Sequence, residues 1–234
     1  MSAARVLVVV PAHDEAESLP ATLRELRAKA PGVDVLVVDD GSRDRTYAVA
    51  RELGVAVVRH AVNLGVGGAL QTGFGFACTY GYDVGVQFDA DGQHDAAYLA
   101  AVLEPVLGGR CNVAIGSRYV ERSGYRAPLQ RRLGMLFFSA IVRAAVGQRI
   151  TDTTSGFRAY DRSVMEVCQH DFPKDFPDAP LLIALARRGF RLLEVPVVMR
   201  ERWAGKSFYT LGKQLYYPYK NLLASLMALL RRPA

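Results

Sequence analysis

The 234 residues suffice to bury a full core as one large domain, and half of them are hydrophobic against 22% charged, which excludes a disordered chain. A formal net charge of +6 suits phosphate, nucleic acid or a membrane surface without choosing among them. Cys78, Cys111 and Cys168 are odd in number and widely spaced, with no metal-ligand or redox pairing, which points to a reducing compartment and buried, inert thiols.

Met1 to Arg5 lacks the basic stretch and apolar core of a signal peptide, because the apolar run Val6–Val10 ends at once in Pro11-Ala12-His13-Asp14-Glu15. That run reads as the first strand. Short β-branched runs predict further strands at Val33–Asp39, Ala56–Arg59, Val84–Asp89 and Val113–Ser117. Between them, apolar positions recurring at three and four residues predict helices at Leu19–Lys29, Thr46–Leu53, Gly67–Tyr80 and Ala97–Leu107. Asp14 with Glu17 three residues on resembles a capping box that would start the first helix. Such alternation builds βαβ units, whose right-handed crossovers place the strand C-termini along one ligand-binding edge.

Beyond Ser117 the pattern predicts a loop Arg118–Gln130, a helix Arg131–Val146, a strand Gly156–Tyr160, helices Arg162–Gln169 and Ala179–Arg188, and a strand Arg191–Val198. With no linker between the halves, the chain reads as a single α/β domain with a mostly parallel central sheet and helices on both faces. Asn221–Leu230 is strongly apolar and closed by Arg231-Arg232, yet shorter than the ~18 residues of a membrane span. A surface-lying or partner-covered helix over 213–234 is expected, with peripheral attachment to a membrane through this segment and Lys220, Arg231 and Arg232.

Three motifs fall at strand ends. Asp89-Ala90-Asp91-Gly92-Gln93-His94 places acids at i and i+2, where they can converge on one hard cation such as Mg²⁺ or Mn²⁺, and the small Ala90 permits close approach of a phosphate. A strand-end turn with a helix cap would also use these residues. In Val38-Asp39-Asp40-Gly41-Ser42 a carboxylate can accept from a ribose hydroxyl or a base, or else cap the helix at Thr46, and one of the two acids is expected to be structural. The glycines of Asn63-Leu64-Gly65-Val66-Gly67-Gly68 allow either phosphate approach or tight helix packing, with packing favoured because no Gly-Lys-Ser/Thr follows. The doublets Arg131-Arg132, Arg187-Arg188 and Arg231-Arg232 are scattered and lack aromatic neighbours, which argues against nucleic acid.

Pro11 to Glu15, Val38 to Ser42, Asp89-Ala90-Asp91 and Gly116-Ser117-Arg118-Tyr119, in this order and spacing, resemble family 2 glycosyltransferases of the GT-A fold. The dolichol-phosphate mannose and polyprenol-phosphate glucose synthases are the branch most resembled, and Asp152-Thr153-Thr154-Ser155-Gly156-Phe157-Arg158 extends the likeness into the second half. The resemblance implies a single nucleotide-diphospho-sugar transferase domain, with 1–117 binding nucleotide and metal and 118–212 forming the acceptor side. It implies that Pro11, His13 and Glu15 border the nucleotide, with Val38 beside them and Asp40 on the ribose or base. Asp89, Asp91 and Gln93 would hold Mg²⁺ or Mn²⁺, with Ala90 against the diphosphate. Arg118, Arg131 and Arg202 match basic positions aimed at donor or acceptor phosphates, a task that suits the arginine fork. Where the lipid-phosphate synthases usually read Gly-x-Ser-Lys, this chain has Gly205-Lys206-Ser207-Phe208, so the lysine is displaced by two.

The implied reaction moves a hexose, with inversion, from a GDP- or UDP-sugar to a polyprenyl phosphate, at the inner face of the cell membrane. A sugar hydroxyl is the alternative acceptor. It would need a base, for which Asp178 in Phe176-Pro177-Asp178-Ala179-Pro180 is the candidate, unless that residue caps the helix at Ala179. A non-catalytic nucleotide-sugar-binding module ranks below both, because Asp89, Asp91 and the arginines are all retained.

Overall fold

An unbroken apolar run becomes a strand only where both of its faces are covered, and the first strand shows why. In the computed structural model β1 (Val6–Ala12) sends Leu7 and Val9 into one buried cluster and Val6, Val8, Val10 and Ala12 into another. The model describes residues 4–120, 143, 147, 150–173, 178–200, 223–225 and 227. The predicted helix Arg131–Val146, apart from Arg143 and with it nearly all of the loop before it, lies outside these residues, as do Arg131, Arg202, Lys206 and Ser207.

The elements follow as α1 (Leu19–Lys29), β2 (Asp34–Asp39), α2 (Thr46–Glu52), β3 (Ala56–Arg59), α3 (Gly65–Thr79), β4 (Val84–Gln87), a 3₁₀ turn (Ala96–Tyr98), α4 (Leu99–Leu107) and β5 (Val113–Ser117). Then come β6 (Arg158–Asp161), α5 (Arg162–Cys168), α6 (Ala179–Arg187) and β7 (Leu192–Pro196). The strands form one seven-stranded sheet in the order β3-β2-β1-β4-β6-β5-β7. Every pair is parallel except β4–β6 and β5–β6. Helices α3, α5 and α6 contribute to one buried cluster, and α1, α2 and α4 to the other.

The reversal of β6 corrects the expectation that all strand C-termini share one edge. Because β6 runs the other way, its N-terminal end, with Gly156 and Phe157 just before it, lies on the edge where the other strands finish. The third helix begins two residues earlier than its apolar pattern indicated, at Gly65. Glycine there serves packing: a Cβ on Gly73 would lie 2.3 Å from Val9 Cγ1, and one on Gly68 2.6 Å from Leu64 Cβ. Cys111 and Cys168 are buried, and burial pushes their thiols up to about 11 and about 12. Cys78 departs from the expectation in being only half-buried, although burial still raises its thiol.

Candidate active site

The loops after β1 and β2 are stitched together by backbone N–H groups. Asp14, the one non-glycine described residue with a left-handed φ (55°), donates its N–H to Ser42 Oγ at 3.0 Å and accepts at Oδ1 from the N–H of Arg43 at 2.7 Å. Glu15 N–H donates to Thr46 Oγ1 at 2.9 Å, and Ala16 N–H to Asp44 Oδ2 at 3.0 Å. The expected capping box is therefore absent. Ser18 occupies the cap position of α1 without a side-chain cap, while Asp14 reaches across to the neighbouring loop. The Glu15 carboxylate accepts from Ser18 Oγ at 2.5 Å, and the His13 ring bonds the Asp40 carbonyl through Nδ1 at 2.8 Å.

Neither acid of the second motif caps α2. Asp39 is fully buried, accepting from Ser42 N–H at 3.0 Å and lying 3.0 Å from Arg59 Nε. Asp40 accepts from Leu64 N–H and Gly65 N–H, each at 2.8 Å, and from His60 at 2.7 Å. Its carboxylate thus caps α3 from 24 or more residues away, where a negative charge also complements the helix dipole. Both acids make internal contacts, whereas the sequence reading had one. Val38 is fully buried in the core, so only its backbone can face a ligand. Asp44, rather than Asp39 or Asp40, receives the Thr46 N–H at 2.8 Å. Burial would raise its pKa, but the Thr46 hydroxyl and the N–H groups of Thr46 and Ala16 outweigh it and hold the carboxyl below its ordinary value.

After β4 the chain turns at Gly92, which has φ 77°. The Asp89 side chain is one-third exposed; Asp91 is nearly buried and accepts from Gln93 N–H at 3.0 Å. Ala90 packs into the core, with its carbonyl held by Thr22 Oγ1 at 3.0 Å, so it too offers the site only backbone. His94 bridges to Met199, and Arg200 N–H donates to the Gln93 carbonyl at 2.8 Å. A charged network then closes over this loop. Arg200 forks onto Glu25 at 2.7 and 2.9 Å and reaches Asp95 at 2.5 Å, while Lys29 contacts Glu25 at 2.8 Å and Asp95 at 2.7 Å. Burial works against the charged carboxylates here, but the Arg200 and Lys29 contacts dominate and lower both pKa values.

At the end of β5, Arg118 meets Asp152 through Nε and Nη2, both at 2.7 Å, with Thr154 Oγ1 3.0 Å from Nη2. Asp152 is fully buried and Arg118 nearly so. Beneath them Glu194 of β7 accepts from Thr151 N–H at 2.8 Å and Asp152 N–H at 2.7 Å. Asp178 stands at the cap position of α6 without a side-chain cap bond, so the capping alternative is not realised. A pocket of ≈ 300 Å³ beside α3, lined by Leu64, Gly68, Gln71, Thr72 and Gln169, includes none of the predicted site residues.

The loops of β1, β2 and β4 thus meet on one edge, and the family model described as glycosyl transferase family 2 matches residues 7–168, which carry all of them. The chain belongs to glycosyl transferase family 2. It is a hexosyltransferase by class. It is 36% identical to the undecaprenyl-phosphate mannosyltransferase of Micrococcus luteus, over 87% of this chain and 86% of that one. To the polyprenol monophosphomannose synthase of Mycolicibacterium smegmatis it is also 36% identical, over 87% and 80%. The glucosyl-3-phosphoglycerate synthase of Mycobacterium tuberculosis, solved with Mn²⁺ and UDP-glucose, superposes with a TM-score of 0.70 at 21% identity, covering 99% of this chain and 80% of that one. The likeness establishes the GT-A fold for this family member.

The donor set suits a divalent ion of the Mg²⁺ or Mn²⁺ kind. Asp89 and Asp91 offer oxygen donors only, which suit a hard ion that completes its shell with water and phosphate oxygens, although among the described residues no three His, Cys, Asp or Glu side chains gather into a metal-holding group. Sequence reasoning passed over His94, although it quoted the motif containing it, and Glu25, Asp95, Glu194 and Arg200. Glu25 and Asp95 also have local partners in Lys29 and the Ala97 N–H, but their contacts with Arg200, like those of Glu194 with Thr151 and Asp152, span far more sequence than any local pattern covers.

Proposed function

We propose that this family 2 glycosyltransferase moves a hexose from a nucleoside-diphospho-sugar to a polyprenyl phosphate, with inversion. The observation that carries the reading is the position of Asp89 and Asp91, two residues apart in the loop after β4 on the sheet edge that also carries the β1 and β2 loops, in a chain whose relatives are named for polyprenyl-phosphate acceptors. Asp89, Asp91 and Gln93 hold the divalent ion, which when bound supplies Lewis-acid neutralisation of the departing diphosphate. Pro11, His13 and Glu15 border the nucleotide. Asp40 acts on it chiefly by fixing the start of α3, since its carboxylate already serves Leu64, Gly65 and His60.

A phosphate oxygen of the acceptor attacks the anomeric carbon from the face opposite the leaving group. The bond from that carbon to the diphosphate oxygen breaks, and the nucleoside diphosphate departs with the electron pair. No base is needed, because a phosphate monoester with a second pKa of about 6 is already ionised at pH 7. Arg131, Arg202 and Lys206 are the cations assigned to the acceptor and donor phosphates. Arg118, assigned with them, is nearly buried in its pair with Asp152.

The acceptor's lipid tail places the reaction at a membrane surface. Leu223 and Met227, four residues apart in helical backbone and therefore on one face, are 48% and 63% exposed, whereas Ser225 is buried. Apolar groups outward and a hydroxyl inward suit a helix lying against lipid. Among the described residues no helix is long and apolar enough to cross a membrane.

The test is turnover of wild type, Asp178→Asn and Arg131→Ala with a short polyprenyl phosphate and with a free sugar, using donors found by thermal shift of GDP- and UDP-sugars with and without Mn²⁺. Asp178→Asn is expected to keep most activity and Arg131→Ala to lose most of it. A nearly dead Asp178→Asn, a normal Arg131→Ala and transfer only to the sugar would replace the lipid phosphate by a hydroxyl acceptor, for which a base contributes about 10²- to 10⁴-fold.

A further inference from the structure

Two residues press against one carboxylate of the acid loop. His94 is 2% exposed, and its Nδ1 lies 3.1 Å from the backbone nitrogen of Asp89. That N–H is a donor, so Nδ1 is the unprotonated ring nitrogen and the ring proton sits on Nε2. Nε2 lies 3.5 Å from Asp89 Oδ2, an electrostatic contact longer than a hydrogen bond. The ring is held in this plane. It stacks on Phe157 with centroids 5.1 Å apart at 18°, and meets Phe88 edge-on at 5.2 Å and 82°.

Gly156 closes on the same oxygen. A Cβ built there would stand 2.5 Å from Asp89 Oδ2 and 3.0 Å from Gln87 Nε2. Gly156 is not among the glycines with a left-handed φ, so space and not backbone conformation calls for glycine at this position. The reversal of β6 is what brings Gly156 and Phe157 to this edge.

We propose that His94 and Gly156 are positioning residues for the Asp89 carboxylate. His94 holds the Asp89 main chain through its N–H and sets Nε2 against the carboxylate, and Gly156 supplies the clearance in which Oδ2 rests. The carboxylate then meets a cation in one orientation, without the cost of ordering it at each binding event. This rests on the reading of Asp89 as a cation ligand.

The experiment is a titration of the full chain with Mn²⁺, followed by EPR in the presence of GDP or UDP, alongside melting curves. Wild type is compared with Asp89→Asn, His94→Phe, His94→Gln and Gly156→Ala. His94→Phe keeps the ring stack but removes both nitrogens, and it is expected to weaken Mn²⁺ binding about 10- to 100-fold, the usual effect of losing an outer-shell partner. Gly156→Ala should do the same. His94→Gln, whose amide N–H can stand in for Nε2–H, recovers most of the affinity. Nitrogen NMR of His94 in wild type should show Nδ1 unprotonated.

If His94→Phe and Gly156→Ala bind Mn²⁺ like wild type while Asp89→Asn does not, the two residues only fill space and the proposal fails alone. If Asp89→Asn binds normally, or wild type takes up no Mn²⁺ with either nucleotide, the acid-loop reading and the proposal fall together. Should His94→Phe not fold, Gly156→Ala decides the question.

Discussion

The two halves of the sheet edge that carries the candidate site are held by different chemistry. In the first half, Asp14, Asp40 and Asp44 accept backbone N–H groups from the neighbouring loop or helix start. In the second half, Arg118 and Asp152 neutralise one another out of solvent, over Glu194, which itself takes N–H donors. Carboxylates satisfied by neutral donors keep their charge, so Asp14, Asp40 and Asp44 leave the first half an anionic rim. A buried ion pair cancels its charge and depends on both partners, which makes the second half a rigid wall behind that rim.

The comparison breaks most visibly at the wall. Asp152→Ala leaves the Arg118 guanidinium buried without its carboxylate and should destabilise the fold by about 3–5 kcal/mol, whereas Arg118→Met with Asp152→Leu should regain much of that. Urea unfolding of the single and double variants measures both. If the single change costs under about 1 kcal/mol, the pair is no more than a surface bridge.

At the rim the effect falls on turnover instead of stability. Asp91→Asn should lower the rate about 100- to 1000-fold, equivalent to several kcal/mol of lost charge stabilisation, with the melting temperature little changed. A normal rate in that variant, or in excess chelator, removes the metal from the proposal.

Helix α3, which joins the rim to the core, offers a smaller contrast. Gly73→Ala drives a methyl to 2.3 Å from Val9 and should cost about 1–3 kcal/mol. Gly75→Ala, with nothing within 4 Å, should stabilise by about 0.5–1 kcal/mol. Equal effects at the two positions would show that α3 does not seat tightly on β1.

The smallest effect concerns pH. The folded Asp44 carboxyl titrates below its ordinary 3.8, so its contribution to stability is present above that value and is lost as the pH falls through the folded pKa. Melting temperature measured from pH 5 to about pH 2 should fall less steeply in Asp44→Asn than in wild type. Identical slopes would mean that the stitched loops do not depend on this charge.

Several features were legible because their signals are local. Strand runs such as Val6–Val10 need only alternation and β-branching, and an Asp-x-Asp after a strand announces itself within three residues. The seven strands, the helices between them and the edge on which the acid loop lies follow from such patterns together with the handedness of crossovers. Local signals misled where a side chain had two possible partners. Asp14 reads as a cap for the helix ahead of it but bonds the β2 loop, and where either Asp39 or Asp40 could cap α2, neither does and Asp40 caps α3.

The sequence by itself determined the fold class, the family and the place of Asp89 and Asp91 just after a strand, since periodicity and short motifs are properties of neighbouring residues. The tertiary structure alone decided the reversal of β6, the pairing of Arg118 with Asp152 across 34 residues, and the contact of Arg200 with Glu25 across 175. The physical reason is that a charge or a glycine carries no label for its partner. A carboxylate accepts whichever donor the sheet brings within about 3 Å, and the order of strands, set by burial over the whole chain, makes that choice.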